Sequence, residues 1–432
     1  MCPFAFSEKR IFSGSLRKVL TLSSSSGLNQ LIGILAVPVL TRVYSPIEFG
    51  LYGLFLAILS VGTVFTTWKY ERGLMICHSK SERQGLFGLA LIISFVFSLL
   101  VFSGSYLWRK GLSDHNLSLT LVISNWNLLL ALSFFFAGSG TALRFLALKE
   151  KAFALISVVG VCSTLVRIIV QLAGVFESFF TATLLPLGHV LSLGCITFLL
   201  GWTARVKHWL DFRRYPFRFE RMVAAARRNS EFPKYMVWSA FSNNITPQVL
   251  VLMASQLFSP AIVGQFFLAE RVLKSPTLLL ATSVAEVNFQ ELSETNPSVL
   301  AKIYRSRLKK MLVIGAPPSI ILMLISTWLF PAVFGDSWKD AGILAKYMVP
   351  GIYFQFSFMP FHHLFTILRE QRLFLFWSLS RLLLMISCVY LGALTGMARG
   401  AAIGHSFALI VSYLLGHLLL QIPLNRVTNN VI

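Results

Sequence analysis

Tyr44-Ser45-Pro46-Ile47-Glu48-Phe49-Gly50 and Phe258-Ser259-Pro260-Ala261-Ile262-Val263-Gly264 share an aromatic-Ser-Pro-x-x-x-Gly pattern at an offset of 214 residues in a chain of 432. Without a gap, the same offset aligns Ser25 with Ser239, Asn29 with Asn243, Val37 with Val251 and Leu54 with Leu268. The chain therefore reads as two half-chains built to one plan. A duplicated and strongly apolar sequence is the signature of many transporters.

Composition fixes the solvent. Hydrophobic residues make up 56% of the chain and charged residues only 13%, with a mean hydropathy of +0.71. A soluble domain of this length could not carry that balance, so the bilayer is the main solvent. With about 20 apolar residues to a span, twelve spans are expected. They lie near 22–41, 48–69, 85–107, 117–139, 152–174, 178–203, 235–258, 261–288, 311–334, 341–367, 373–396 and 400–421. The fold class is thus an all-α polytopic membrane protein, with two six-helix bundles at 1–203 and 235–432 joined by a basic linker at 204–234.

Charge sets the orientation. The chain has 38 Lys and Arg against 17 Asp and Glu, an excess that in a soluble protein would suggest nucleic acid as a partner. Here the positive-inside rule accounts for it. With a cytoplasmic N-terminus, inside segments hold 28 basic residues and outside segments 5, so both termini are expected in the cytoplasm and no nucleic-acid partner is expected. Six spans per half make the halves parallel repeats about an axis along the membrane normal. Lys9, Arg10, Arg17 and Lys18 precede a long apolar run with no small-residue cleavage site, which reads as a retained first span. The linker interleaves Arg213, Arg214 and Arg218 with Phe212, Tyr215 and Phe217. That pattern suits either a solvated loop or a segment lying on anionic lipid.

Charges inside apolar spans are costly and mark candidate functional positions. On span 8, Gly264, Arg271, Ser275, Thr282 and Glu286 fall within about 60° of one another at 100° per residue. Such a stripe faces protein or water rather than lipid. It either packs against a neighbouring helix or lines an aqueous cavity. Glu270 and Lys274 sit beside it at i and i+4 and can neutralise each other. Arg167, Lys346 and Arg381 add positive charge in spans 5, 10 and 11, which hold no carboxylate. An anionic ligand would supply the balance.

Candidate cationic site residues are therefore Arg271, Arg167, Arg381 and Lys274, with Arg42 and Arg72 at span ends. Asn29, Gln30, Asn243, Thr246, Ser275 and Thr282 are candidates for a polar lining, and Glu71 and Glu286 for ion coupling. Pro38 and Pro247 are candidate hinges. The five cysteines are scattered without a C-x-x-C, so neither a disulfide framework nor a metal site is implied. No P-loop, G-x-S-x-G or H-E-x-x-H pattern occurs. Catalysis and a cofactor are not expected.

Five stretches together resemble the polysaccharide translocase family, the O-antigen and capsule-type flippases of the multidrug/oligosaccharidyl-lipid/polysaccharide exporter superfamily. They are P-V-L-T-R-V-Y-S-P-I-E-F-G-L-Y-G from Pro38 to Gly53, K-Y-E-R-G-L-M-I from Lys69 to Ile76, and E-F-P-K-Y from Glu231 to Tyr235. The others are F-S-P-A-I-V-G-Q-F-F-L-A-E-R-V-L-K-S-P from Phe258 to Pro276 and F-G-D-S-W-K-D-A-G from Phe334 to Gly342. The resemblance implies two six-helix bundles and alternating-access export of a glycan carried on undecaprenyl diphosphate, in the bacterial inner membrane. It also implies membrane lipids, and the polymerase and chain-length proteins of the same pathway, as partners. Arg72 stands where that family commonly has an apolar residue. A drug or cation exporter of the same superfamily is the alternative, with a membrane glycan polymerase or ligase behind it.

Overall fold

In hydrocarbon an open chain can satisfy its own N–H and C=O groups only by forming helices, and the apolar runs do so. The computed structural model describes residues 27–77, 79–111, 117–176, 181–209, 219–293, 295 and 297–429. The first half comprises α1 (Gly27–Val43), α2 (Pro46–Gly62), α3 (Lys80–Gly111), α4 (Leu117–Asn125), α5 (Asn127–Lys149), α6 (Phe153–Leu172), α7 (Thr181–Val206) and α8 (Phe219–Arg228). The second comprises α9 (Val237–Ile245), α10 (Val249–Leu257), α11 (Pro260–Ser293), α12 (Pro297–Phe334), α13 (Lys339–Phe358), α14 (Gln371–Ala393) and α15 (Ala398–Asn429). No strand occurs among the described residues. The linker's centre, 210–218, and the basic N-terminal segment lie outside them.

Seven of these helices are long and apolar enough to cross a bilayer on their own. The other expected spans depart from that form for visible reasons. α1 and α2 are shorter apolar helices, and α11 carries Glu270, Arg271 and Lys274 close together. Span 7 is split into α9 and α10 by a 3-10 turn, Thr246–Gln248, at Pro247. Span 10 leaves α-helical form after Phe358 through a second 3-10 turn, Met359–Phe361, at Pro360.

Two boundaries move furthest. Span 4, expected at 117–139, breaks at Trp126, and α5 runs on to Lys149. α12 begins at Pro297 and has 38 residues, a length of roughly 57 Å against roughly 30 Å of hydrocarbon. Lys302, Arg305, Arg307, Lys309 and Lys310 therefore ride on the early turns of a helix that outruns the membrane, where a loop was expected.

The chain divides into two compact units. One takes Met1–Leu40, Leu59–Ser113 and Val122–Ala240; the other takes Thr41–Ile58, Asp114–Leu121 and Phe241–Ile432. Thr41–Ile58, which the half-chain reading put with the N-terminal bundle, thus packs with the C-terminal half. Within the N-terminal unit, Leu86 and Ala90 of α3 meet Ala142 and Leu146 of α5 and Leu200 of α7 in one buried cluster. The amphipathic α8 lays Met222 and Ala225 inward against α3.

The duplicated motif explains why Thr41–Ile58 belongs where it does. Pro46 and Pro260 each open a helix, where a missing N–H costs nothing. Ser45 and Glu48 cap α2 reciprocally: the Ser45 amide donates to Glu48 Oε2 at 2.7 Å and the Glu48 amide to Ser45 Oγ at 3.4 Å. The two glycines then face each other's motif. A Cβ on Gly50 would stand 2.0 Å from the Pro260 carbonyl oxygen, and one on Gly264 would stand 1.9 Å from that of Pro46. Only hydrogen at both positions permits this approach. Trp338 locks the contact, its indole Nε1 donating to the Thr41 carbonyl at 2.9 Å and its ring meeting Phe49 edge-on at 5.2 Å.

Candidate functional site

Arg381 sits near the middle of α14, at a depth where an unbalanced cation is expensive. Its Nη2 donates to Asn243 Oδ1 at 3.4 Å, and its guanidinium lies 4.9 Å from the centre of the Trp377 ring. Among the described residues, Nε has no hydrogen-bond partner and no carboxylate pairs with the group. The cation–π contact offsets part of the desolvation cost. The rest is left for something that enters the space in front of it.

That space is a cavity of about 370 Å³ inside the C-terminal unit. α11 contributes Lys274, Thr277, Leu278 and Ala281, a face repeating at three and four residues. The interrupted span 7 supplies Asn243, Thr246 and Pro247, and the end of span 10 supplies Gln355, Phe356, Met359 and His362. Phe374, Trp377 and Tyr413 complete an aromatic wall. Of the five expected spans that fail a simple length-and-hydropathy test, three, α9–α10, α11 and α13, are wall elements. Both helix breaks fall on this wall. Pro247 and Pro360 remove the N–H groups that a continuous helix would donate to the carbonyls of Asn243 and Phe356, and both of those residues line the cavity.

The charges here do not cancel. Lys274 donates to Glu270 one turn earlier, forming a neutral pair. His362 Nδ1 is engaged with the Met359 carbonyl at 2.6 Å, leaving Nε2 as the free ring nitrogen. Gln355 Oε1, buried on the same wall, has no partner among the described residues. The arrangement is a cationic, amide-bearing and aromatic pocket halfway along its helices, suited to an anion attached to a larger polar or apolar body.

Of the residues singled out in the sequence, Arg381, Lys274, Asn243 and Thr246 meet in this cavity. Arg271 does not line it; its guanidinium lies 5.8 Å from the Phe267 ring centre. Ser275 and Thr282 donate back to the carbonyls of Arg271 and Leu278 on their own helix, at 2.6 and 2.8 Å. The Glu286 side chain lies outside the described residues. Arg42 and Arg72 are exposed. Glu71 is buried and accepts the Thr67 hydroxyl at 2.5 Å, with the Lys69 ammonium at 3.8 Å.

Asn29, Gln30 and Arg167 belong to the N-terminal unit, on α1 and α6. There the Asn29 amide nitrogen lies 2.9 Å from where a Cβ on Gly160 would stand, and Arg167 Nη2 lies 3.7 Å from the corresponding point on Gly33. The side-chain oxygens of Asn29 and Gln30 are buried without a described partner. Gln355 and the aromatic wall were missed. A lone glutamine in an apolar span was a usable signal, whereas aromatic residues in a membrane protein are too common to give one.

A family profile described as "Polysaccharide biosynthesis protein" matches residues 39–342. Among solved structures, the chain is similar to the lipid II flippase MurJ in an inward closed conformation, with a TM-score of 0.75 and 12% identity over 95% of this chain and 90% of that one. It is also similar to an inward-facing multidrug resistance MATE family transporter of the MOP superfamily, with a TM-score of 0.70 and 16% identity over 93% and 96%. A Vibrio cholerae MATE transporter follows with a TM-score of 0.54 and 15% identity over 95% and 94%. No curated protein is a detectable sequence relative. At these identities the solved structures establish the shared transporter fold.

Proposed function

Since the chain belongs to the polysaccharide biosynthesis protein family, we propose that it is a flippase that carries undecaprenyl-diphosphate-linked oligosaccharide from the cytoplasmic to the periplasmic leaflet by alternating access. The observation that carries this reading is Arg381: a cation midway along its helix with no carboxylate partner among the described residues, opening on a cavity with amide and aromatic walls. The diphosphate supplies the missing negative charge, Asn243 and Gln355 offer amide groups to sugar hydroxyls, and the polyprenyl tail stays in lipid. Nothing in this role calls for catalysis. The excess of basic residues on one side supports an orientation with both termini in the cytoplasm, and a flippase of this kind would sit in a bacterial inner membrane. Polymerase and chain-length proteins acting on the same lipid-linked glycan are the expected pathway partners.

The drug-exporter reading is weaker for a specific reason. An organic cation needs a free carboxylate, and Glu270, on the wall helix α11, is committed to Lys274. The test is protein-dependent flipping of a fluorescent undecaprenyl-diphosphate oligosaccharide in proteoliposomes. Arg381→Gln should reduce it by about 10- to 100-fold, the equivalent of losing charge-assisted hydrogen bonds worth about 1.5–3 kcal/mol. Flipping unchanged in a folded Arg381→Gln variant would refute the site. Export of an organic cation in place of any flipping would refute the function.

A further inference from the structure

Behind the cavity wall lies a set of ionisable groups that the transport step described above leaves unused. Glu270 is 8% exposed and does not itself reach the cavity. Its Oε1 accepts the Lys274 ammonium and lies 3.9 Å from Nε2 of His405 on α15. His405 is 1% exposed, and its Nδ1 has no hydrogen-bond partner among the described residues. Lys274 is the member of this trio that also lines the cavity. The other ionisable groups facing the space are Arg381 on α14, His362 after α13 and Tyr413 on α15, while Lys346 on α13 is exposed. Arg271, next to Glu270 in sequence, turns to Phe267 instead.

A diphosphate carries more negative charge than Arg381 alone neutralises. The Lys274 ammonium is the other permanent cation on the wall, and a phosphate oxygen beside Arg381 competes with Glu270 for it. If the ammonium turns to the phosphate, a carboxylate is left in the protein interior with the His405 imidazole beside it. A buried charge in that position is disfavoured and takes up a proton when one is available.

We propose that Lys274 is a shared cation, passed from Glu270 to the bound phosphate, and that the Glu270–His405 pair takes up one proton from water as this happens. The inference rests on the phosphate reading of the cavity. Charge balances at each step. Before binding, Lys274 neutralises Glu270. Afterwards Lys274 and Arg381 hold the anion, and the proton sits on the Glu270 carboxyl or on His405 facing it. Glu270 is a positioning residue in this scheme and His405 its proton-sharing neighbour. Anion binding and proton uptake thereby become one linked equilibrium.

The probe is farnesyl diphosphate, titrated calorimetrically into the full-length purified protein in buffers of different ionisation enthalpy, which counts protons taken up per ligand bound. The ligand's own ionisation is common to all variants and cancels in the comparison. The wild type should take up close to one proton more per ligand than Glu270→Gln. Its affinity should also fall more steeply with rising pH, by up to about tenfold per pH unit. Lys274→Met should bind more weakly and lose the extra proton. If Glu270→Gln proves unstable, the double variant Glu270→Gln/Lys274→Met replaces the pair with neutral groups and gives the same proton comparison. Equal proton counts in the wild type and these variants, with Arg381→Gln still abolishing binding, would sink the hand-over and leave the phosphate site standing. No binding of the diphosphate by the wild type would overturn both.

Discussion

Adding one methyl group at either glycine of the duplicated motif should destabilise the C-terminal unit far more than the same change at a helical glycine with open space around it. In Gly50→Ala the new Cβ starts 2.0 Å from the Pro260 carbonyl oxygen and 2.8 Å from the Gly264 amide nitrogen; in Gly264→Ala it starts 1.9 Å from the Pro46 oxygen. Every obstacle is backbone, so no side chain can swing aside. α2 and α11 must separate by about 1 Å to restore ordinary contact, loosening Phe49, Tyr52, Phe267 and Trp338, which pack together there. Overpacking of this kind costs about 1–3 kcal/mol, and backbone obstacles point to the upper end. For a unit of this size that corresponds to a fall of roughly 5–10 °C in melting temperature. Gly104→Ala on α3 is the control, because nothing lies within 4 Å of its added Cβ; helix propensity makes that change neutral or slightly stabilising. The assay is a detergent-solubilised thermal melt followed by size-exclusion fluorescence. Because one separation of the helices relieves both clashes, Gly50→Ala/Gly264→Ala should melt only slightly below the worse single variant. Single variants that melt like the wild type, or losses that add in full, would refute the reciprocal packing.

Other outcomes follow from contacts already described. Trp338→Phe keeps the ring against Phe49 but removes the indole donor to the Thr41 carbonyl, and should cost about 1–2 kcal/mol in the same melt. Burial pushes the Cys77 thiol above its ordinary range, with Lys149 and Arg83 acting in the opposite sense. Because the thiolate is the nucleophile, a variant retaining only Cys77 should react with maleimide more slowly near neutral pH than an exposed thiol does. Its rate should still be climbing where the exposed thiol has levelled off, and coincident pH profiles would contradict this. A reporter that fluoresces only in the cytoplasm, fused after Ile432, should be bright, and an alkaline phosphatase fusion at the same point inactive; the reverse pattern would invert the orientation.

Much of the architecture could be read from the sequence because hydropathy over a span-length window is a local property. The offset repeat likewise marked Gly50 and Gly264 as equivalent. That they touch depends on how two helices distant in sequence cross, which no local window contains. The same limit governs the site. A helical wheel groups Arg271 with Ser275 and Thr282, but it cannot say which face of α11 meets the cavity. Tertiary packing presents Lys274, Thr277, Leu278 and Ala281 instead, and the hydroxyls of Ser275 and Thr282 are satisfied by their own helix. Arg381 and Asn243 were legible because polar groups in an apolar span are expensive wherever they point. Trp377 and Tyr413 were not, because their apolar bodies suit lipid, core and ligand equally.

The two interruptions in the cavity wall have a consequence for solvent. Proline at 247 and 360 takes away the hydrogens that would have covered the carbonyls of Asn243 and Phe356. Backbone oxygens at such depth are not left to hydrocarbon. A space bordered by them and by Arg381 suits water better than lipid. The energy of an ion falls as the polarisability of its surroundings rises. Water admitted by two residues that interrupt a helix would raise the local dielectric, giving a charged group in the cavity a medium closer to water than to oil.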